Sequence, residues 1–214
     1  MSQLLVLPAP LSSTTITLGQ LVTDPLYAES ASLKPSTKPA HRESAVQSKY
    51  EDTVAHDEYG RFTSTGFVSK VSGQPHYSHE NLLLLHAEQM SYSTIAKPAA
   101  VFDTLRRDSA TRSFLRKTAY QNKPVYFVTG VQSLQNPCFK RAVVEHGLVA
   151  EATAPPFRLP VRRVDSASSL DNNDETDSGA SVLAVELLKV KCRVGACSEP
   201  HCISDLEYLS LIHI

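Results

Sequence analysis

The stretch that most constrains this chain is Lys123-Pro-Val-Tyr-Phe-Val-Thr-Gly-Val-Gln-Ser-Leu. Val125 to Val128 are β-branched or aromatic without a break. Pro124 opens the run, Gly130 interrupts it, and Asn136-Pro137 closes the segment that follows. A short continuous apolar run between turn residues predicts a strand covered on both faces. Such a strand needs partners on either side and layers above and below it. The rest of the 214-residue chain must supply them, and it is long enough to bury a core.

Two strand-like arms lead out of that stretch, within residues 138–194. Leu148, Ala150, Ala152 and Ala154 share one face, with Glu151 and Thr153 on the other. Phe157, Leu159 and Val161 alternate with Arg158 and Arg162. Residues 165–178 are acidic and nearly free of apolar side chains, which predicts a disordered tip. The return strand, Ser181 to Val194, begins apolar through Val182 and Ala184. It then alternates Leu188, Val190, Cys192 and Val194 with Lys189, Lys191 and Arg193. The tail from Ser204 to Ile214 reads equally well as a short helix or a strand.

Before the central stretch, residues 94–118 carry a helical pattern. Pro98 suits a first helical turn, and Val101, Phe102 and Leu105 form one apolar face. A break at Asp108-Ser109 can cap a second helix bearing Phe114 and Leu115. From 97 to 123 seven basic residues stand against Asp103 and Asp108, a local excess of five positive charges. Arg106, Arg107, Arg112, Arg116 and Lys117 are the candidate contacts to an anionic surface. Clustered cations near acidic lipid contribute about 1 kcal/mol each.

Further upstream, 60–72 and 79–92 read as a β-hairpin. Phe67 and Val71 lie on one face of the first arm, and Leu83 and Leu85 fall within the second, across the turn Ser72-Gly-Gln-Pro-His76. Residues 30–58 are expected to be a mobile connection, basic through Lys34, Lys38, Arg42 and Lys49, with Pro35 and Pro39 preventing regular structure. Thr14 to Leu18 is β-prone. Residues 1–33 contain no Lys or Arg.

Several function classes lose support. With 42% hydrophobic and 20% charged residues the chain is globular. A net charge of −1 argues against a nucleic-acid binder working by global charge. No secretory signal is visible, and no apolar run approaches the roughly 18 residues of a spanning helix. A soluble, cytoplasmic chain is therefore expected. Cys138, Cys192, Cys197 and Cys202 are most simply free thiols there. Cys192, Cys197, His201 and Cys202 suggest zinc, but their spacing fits no usual ligand pair, so no metal or cofactor is expected. There is no glycine-rich phosphate loop, His-Glu-x-x-His or Gly-x-Ser-x-Gly, so no catalytic residue is assigned.

Three pieces together resemble the pore-forming domain of gasdermins, most closely the fungal gasdermin-like regulator-of-cell-death proteins. They are Leu83-Leu-Leu-His-Ala-Glu-Gln-Met-Ser with the helical segment ending Ser113-Phe-Leu-Arg-Lys, the central stretch from Lys123, and Gly179-Ala-Ser-Val-Leu-Ala-Val-Glu-Leu-Leu-Lys-Val. Order and spacing match the family across about residues 80–195. The resemblance implies an α+β fold: a twisted, mostly antiparallel sheet with surrounding helices, forming one domain over 1–214. It implies that about 60–92 and about 138–194 refold into membrane β-hairpins that close into a barrel between subunits. On that reading Phe67, Val71, Leu83, Leu85, Leu148, Ala150, Ala152, Phe157, Leu159, Val161, Val182 and Ala184 line the inserting arms. Only a closed barrel lets strands cross lipid with every backbone group paired, and about 9–11 residues per strand suffice.

The implied partners are an acidic phospholipid membrane and a divergent allelic form of the same protein in a mixed oligomer, with no nucleic acid. The implied setting is fungal allorecognition, or heterokaryon incompatibility, with the chain moving from cytoplasm to plasma membrane. The departures are the missing basic helix in 1–33, the arm arginines Arg158, Arg162 and Arg163, and the expectation that no C-terminal autoinhibitory domain follows. A soluble module holding an acidic partner through the basic helix, and an enzyme with a site spread over loops, remain open.

Overall fold

The computed structural model describes the backbone of residues 4–27, 30–73, 81–145, 148–151, 179–193 and 202–208, with side chains in 4–27, 30–73, 81–142 and 179–190. In chain order the strands are β1 (Leu4–Ser12), β2 (Leu21–Val22), β3 (Ser32–Leu33), β4 (His41–His56) and β5 (Phe62–Thr65). Helix α1 (Gly66–Ser72) follows, then β6 (Leu82–Ile95), α2 (Pro98–Leu105) and α3 (Ser109–Tyr120). The rest is strand: β7 (Val125–Gln135), β8 (Cys138–Glu145), β9 (Leu148–Glu151), β10 (Ala180–Arg193) and β11 (Cys202–Tyr208).

The main path of the sheet runs β1-β10-β7-β6-β4-β5, and the described pairings are antiparallel. Two strands serve two partners along one flank. β6 pairs β7 through Gln89–Thr94 and β8 through Leu83–His86. β10 pairs β1 through Ser181–Glu186 and β11 through Leu188–Arg193, while its other flank lies on β7. The architecture is sheet-rich and antiparallel, as expected, with three helices among the described residues.

The central stretch is the buried strand that its composition predicts. Val125, Phe127, Val128, Val131 and Leu134 are all buried in β7. Asn136, with φ of 49°, ends it. Gly130 does not interrupt the strand; a Cβ there would press within 2.8 Å of Glu186 on β10. Two apolar cores result. One joins Phe102 of α2 and Leu115 of α3 to Phe127, Val185 and Leu187. The other joins Val68 of α1 to Val54, Leu83, Leu85, Met90 and Leu183.

Four expectations are overturned. Residues 66–72 form helix α1, so only Phe62–Thr65 of the first hairpin arm is strand here. Phe67 and Val71 are four apart, a spacing that shares a face in strand and helix alike. The local signals decide for the helix. The Thr65 hydroxyl accepts from Val68 N–H at 3.1 Å, and Gly73 takes the left-handed C-cap at φ 67°.

Residues 30–58 are not an irregular connection, because β4 occupies 41–56. Pro35 and Pro39 precede that strand, and β6 pairs with nearly its whole length. Thr14–Leu18 is turn structure, and the strand is Leu4–Ser12 instead. β1 tolerates Pro8 and Pro10 because its register with β10 skips from Val6 to Leu11, where no proline N–H is needed. Finally, β6 runs on to Ile95, so helix begins at Pro98 rather than 94. The acidic segment 165–178 and the arm positions Ala152, Phe157, Leu159 and Val161 lie outside the described residues.

Candidate membrane-contact surface

Pro98 occupies the start of α2, and Val101 N–H bonds the Lys97 carbonyl at 3.1 Å. Asp108 caps α3, its carboxylate accepting from Thr111 N–H at 3.2 Å. The apolar residues then face inward. Phe102 meets Phe127 edge-on at 5.5 Å between ring centres, while Val101, Leu105 and Phe114 pack around the same core. This inward face fixes which side is left for solvent.

That outer side carries the cations. Arg112, Arg116 and Lys117 are exposed along α3, and Arg107 is exposed in the turn after α2. Arg106 ends α2 and is tied to Asp103 at 2.9 Å. Arg107, Arg112, Arg116 and Lys117 enter no ion pair among the described residues. The five candidate lipid contacts thus share one helical layer, four of them with uncompensated charge. Separately, Lys34, Lys38 and His41 line a groove of about 420 Å³ floored by Ile16, Leu18, Val131 and Val182.

The candidate arm residues do not gather on a surface. Leu83 and Leu85 on β6 and Val182 and Ala184 on β10 are almost wholly buried. Phe67 is half-buried with its ring edge-on to Tyr92 at 5.7 Å, and Val71 is exposed. Leu148 and Ala150 lie on β9, which pairs with β8.

A polar network behind α1 is not apparent from residue patterns. Asp52 on β4 accepts from Phe67 N–H at 3.0 Å, from Tyr50 OH at 2.7 Å and from Thr53 N–H at 2.8 Å. The Tyr50 hydroxyl accepts from Gln132 Nε2 of β7 at 3.4 Å. Beside it, Tyr92 OH donates to the buried Glu186 carboxylate at 2.7 Å. Burial, then the neighbouring carboxylates Asp52 and Glu186, push both phenols far above their ordinary range. One signal was present in sequence: Glu186 is the lone charge in the apolar run Val182–Leu188. Nothing in the sequence joins Asp52 to a helix 14 residues later.

No helix among the described residues is long and apolar enough to cross a membrane. No family model and no curated protein matches the sequence. Among solved structures, the chain is similar to a bacterial gasdermin from Bradyrhizobium tropiciagri. The match has a TM-score of 0.34 and 11% identity, covering 95% of this chain and 87% of that one. At that level the likeness is one of loose overall shape, and no function is carried across from it.

Proposed function

We propose that this chain is a pore-forming cell-death effector of gasdermin type. It binds acidic phospholipid, assembles with a divergent allelic form of itself and permeabilises the plasma membrane, in the manner of fungal allorecognition. The observation that carries the reading is a set of exposed cations with no ion pair among the described residues, Arg107 after α2 and Arg112, Arg116 and Lys117 on α3, a helix packed into the core of the central strand. The motif resemblance across 80–195 supports the same reading. So does strand length: β6 and β10 have 14 residues each, beyond the about 9–11 a spanning strand needs.

The mixed oligomer follows from charge. Barrel closure is head-to-tail, so each copy offers two different surfaces to its neighbours. The basic stretch Arg158 to Arg163 and the row Lys189, Lys191 and Arg193 would set like charges together in a uniform ring. An acidic counterpart on a related chain relieves this.

The test is sedimentation with anionic vesicles and release of an encapsulated dye. Arg106, Arg107, Arg112 and Arg116 all changed to Glu should abolish sedimentation while circular dichroism stays unchanged, and wild-type binding should weaken as salt rises. The chain alone should leak dye poorly and release it strongly with a divergent allelic partner. Unchanged sedimentation of the reversed chain removes these helices from the role. Binding to a soluble acidic protein without leakage favours the binding-module alternative.

A further inference from the structure

We propose that Asp52 is a positioning residue that clamps α1 in its helical form, and so governs when the 60–92 region can open. The opening itself rests on the pore-forming reading; the clamp rests on geometry alone. α1 has seven residues, too few to be stable by itself. Its first turn has two N–H groups in known hands: Val68 bonds Thr65 Oγ1, and Phe67 bonds Asp52 Oδ2. The second bond spans 15 residues and ties the helix to the long strand β4.

The carboxylate is held for that task. Thr53 N–H fixes Oδ1 at 2.8 Å, and Tyr50 OH fixes Oδ2 at 2.7 Å. Gln132 reaches Tyr50 from β7, so the clamp is referenced to a buried central strand of the sheet. Gly66 leaves the space: a Cβ there would overlap Asp52 Oδ1. A negative charge at the helix start also meets the positive end of the helix dipole. For 66–72 to become extended, Phe67 N–H must leave Asp52. The carboxylate would then lose its helix partner while Tyr50 and Thr53 still hold it in place.

The experiment compares the 214-residue chain carrying Asp52→Asn with one carrying Asp24→Ala, which removes the side-chain acceptor of Leu26 N–H in a turn outside the arms and the cationic helices. Amide exchange is read by mass spectrometry, and dye release is read from phosphatidylserine-containing vesicles. Asp52→Asn should raise exchange in 66–72 by roughly ten- to a hundredfold, the scale of a hydrogen bond to a charged group. The β7 core at 125–134 should stay protected. The leakage caused by the chain alone should rise with it, whereas Asp24→Ala should loosen 24–27 and leave leakage unchanged. Tyr50→Phe, which keeps the carboxylate, should give a smaller rise at 66–72 and serves if Asp52→Asn does not fold.

Unchanged exchange at 66–72, or a rise shared equally by β7, overturns the clamp. Equal leakage from Asp24→Ala overturns its specificity for opening. Exchange is measured without membranes, so an opened α1 with intact vesicles in every variant would count against the pore reading and not against the clamp.

Discussion

Helices α1 and α3 pack into two different cores of the same sheet and are made in different ways. α3 has 12 residues and its cap, Asp108, is its own neighbour in sequence. α1 has seven residues and leans on Asp52, a carboxylate from another strand. The first needs little from the fold to be helical. The second is helical because the fold holds it so, while its apolar spacing fits a strand equally well. The proposed opening falls on the segment of the second kind.

The strongest way to separate the two is through the cores beneath them. α2 and α3 rest on Phe102 against Phe127, and Phe102 is the only buried residue of α2. Phe102→Ala should cost about 3–5 kcal/mol of global stability. It should release α2 and α3 together in urea unfolding. Val68→Ala beneath α1 removes less volume and should cost about 1–3 kcal/mol. If exchange shows 66–72 opening in Val68→Ala well before the sheet, the two helices belong to different cooperative units. Simultaneous opening would erase the distinction.

High pH offers a second probe. The α1 side carries Tyr50 and Tyr92, both buried and held protonated beside Asp52 and Glu186. Burial and the adjacent carboxylates hold both folded phenols above the ordinary tyrosine range. Their contribution is therefore full below about pH 10, where unfolded tyrosine is also neutral. It falls as pH rises further, because the unfolded chain gains charge that the folded one refuses. Each such tyrosine costs about 1.4 kcal/mol per pH unit in that range. Denaturant unfolding between pH 9 and 11 should show this loss, and Tyr50→Phe with Tyr92→Phe should flatten it. An unchanged slope would mean that these phenols do not hold the α1 side.

The same contrast explains what was legible in sequence. The α2–α3 pair was readable because Pro98 and Asp108 act within one turn of themselves. β7 and β10 were readable because burial on both faces leaves a continuous apolar run. β4 was not, because its first nine residues are half-exposed or exposed and only pairing with β6 makes them a strand. The cationic residues were visible as composition, and the structure adds that four of the five enter no ion pair among the described residues. The Asp52 network was hidden because its bonds from Phe67 to Asp52 and from Gln132 to Tyr50 join elements that sequence spacing does not relate. Thr65 and Gly73 were the available signals for α1, and alternation at Phe67 and Val71 outweighed them.

The caps give the smallest and sharpest comparison. Thr65→Ala and Asp108→Ala each remove one side-chain acceptor at a helix start, worth about 1 kcal/mol. Global stability should fall by similar amounts, so a melting curve cannot tell them apart. Local behaviour should. In α3 the remaining turns are long enough to keep the helix, and loss of Asp108 should fray only its first turn. In α1, losing Thr65 leaves Asp52 as the holder of Phe67 N–H, so the whole seven-residue helix should exchange faster as one unit. Adding Asp52→Asn to Thr65→Ala should then exceed the sum of the single effects, since both act on the same first turn. Adding Asp52→Asn to Asp108→Ala should be additive within error. A purely additive Thr65–Asp52 pair would mean that α1 is held by its apolar contacts, and that the two helices differ in length alone.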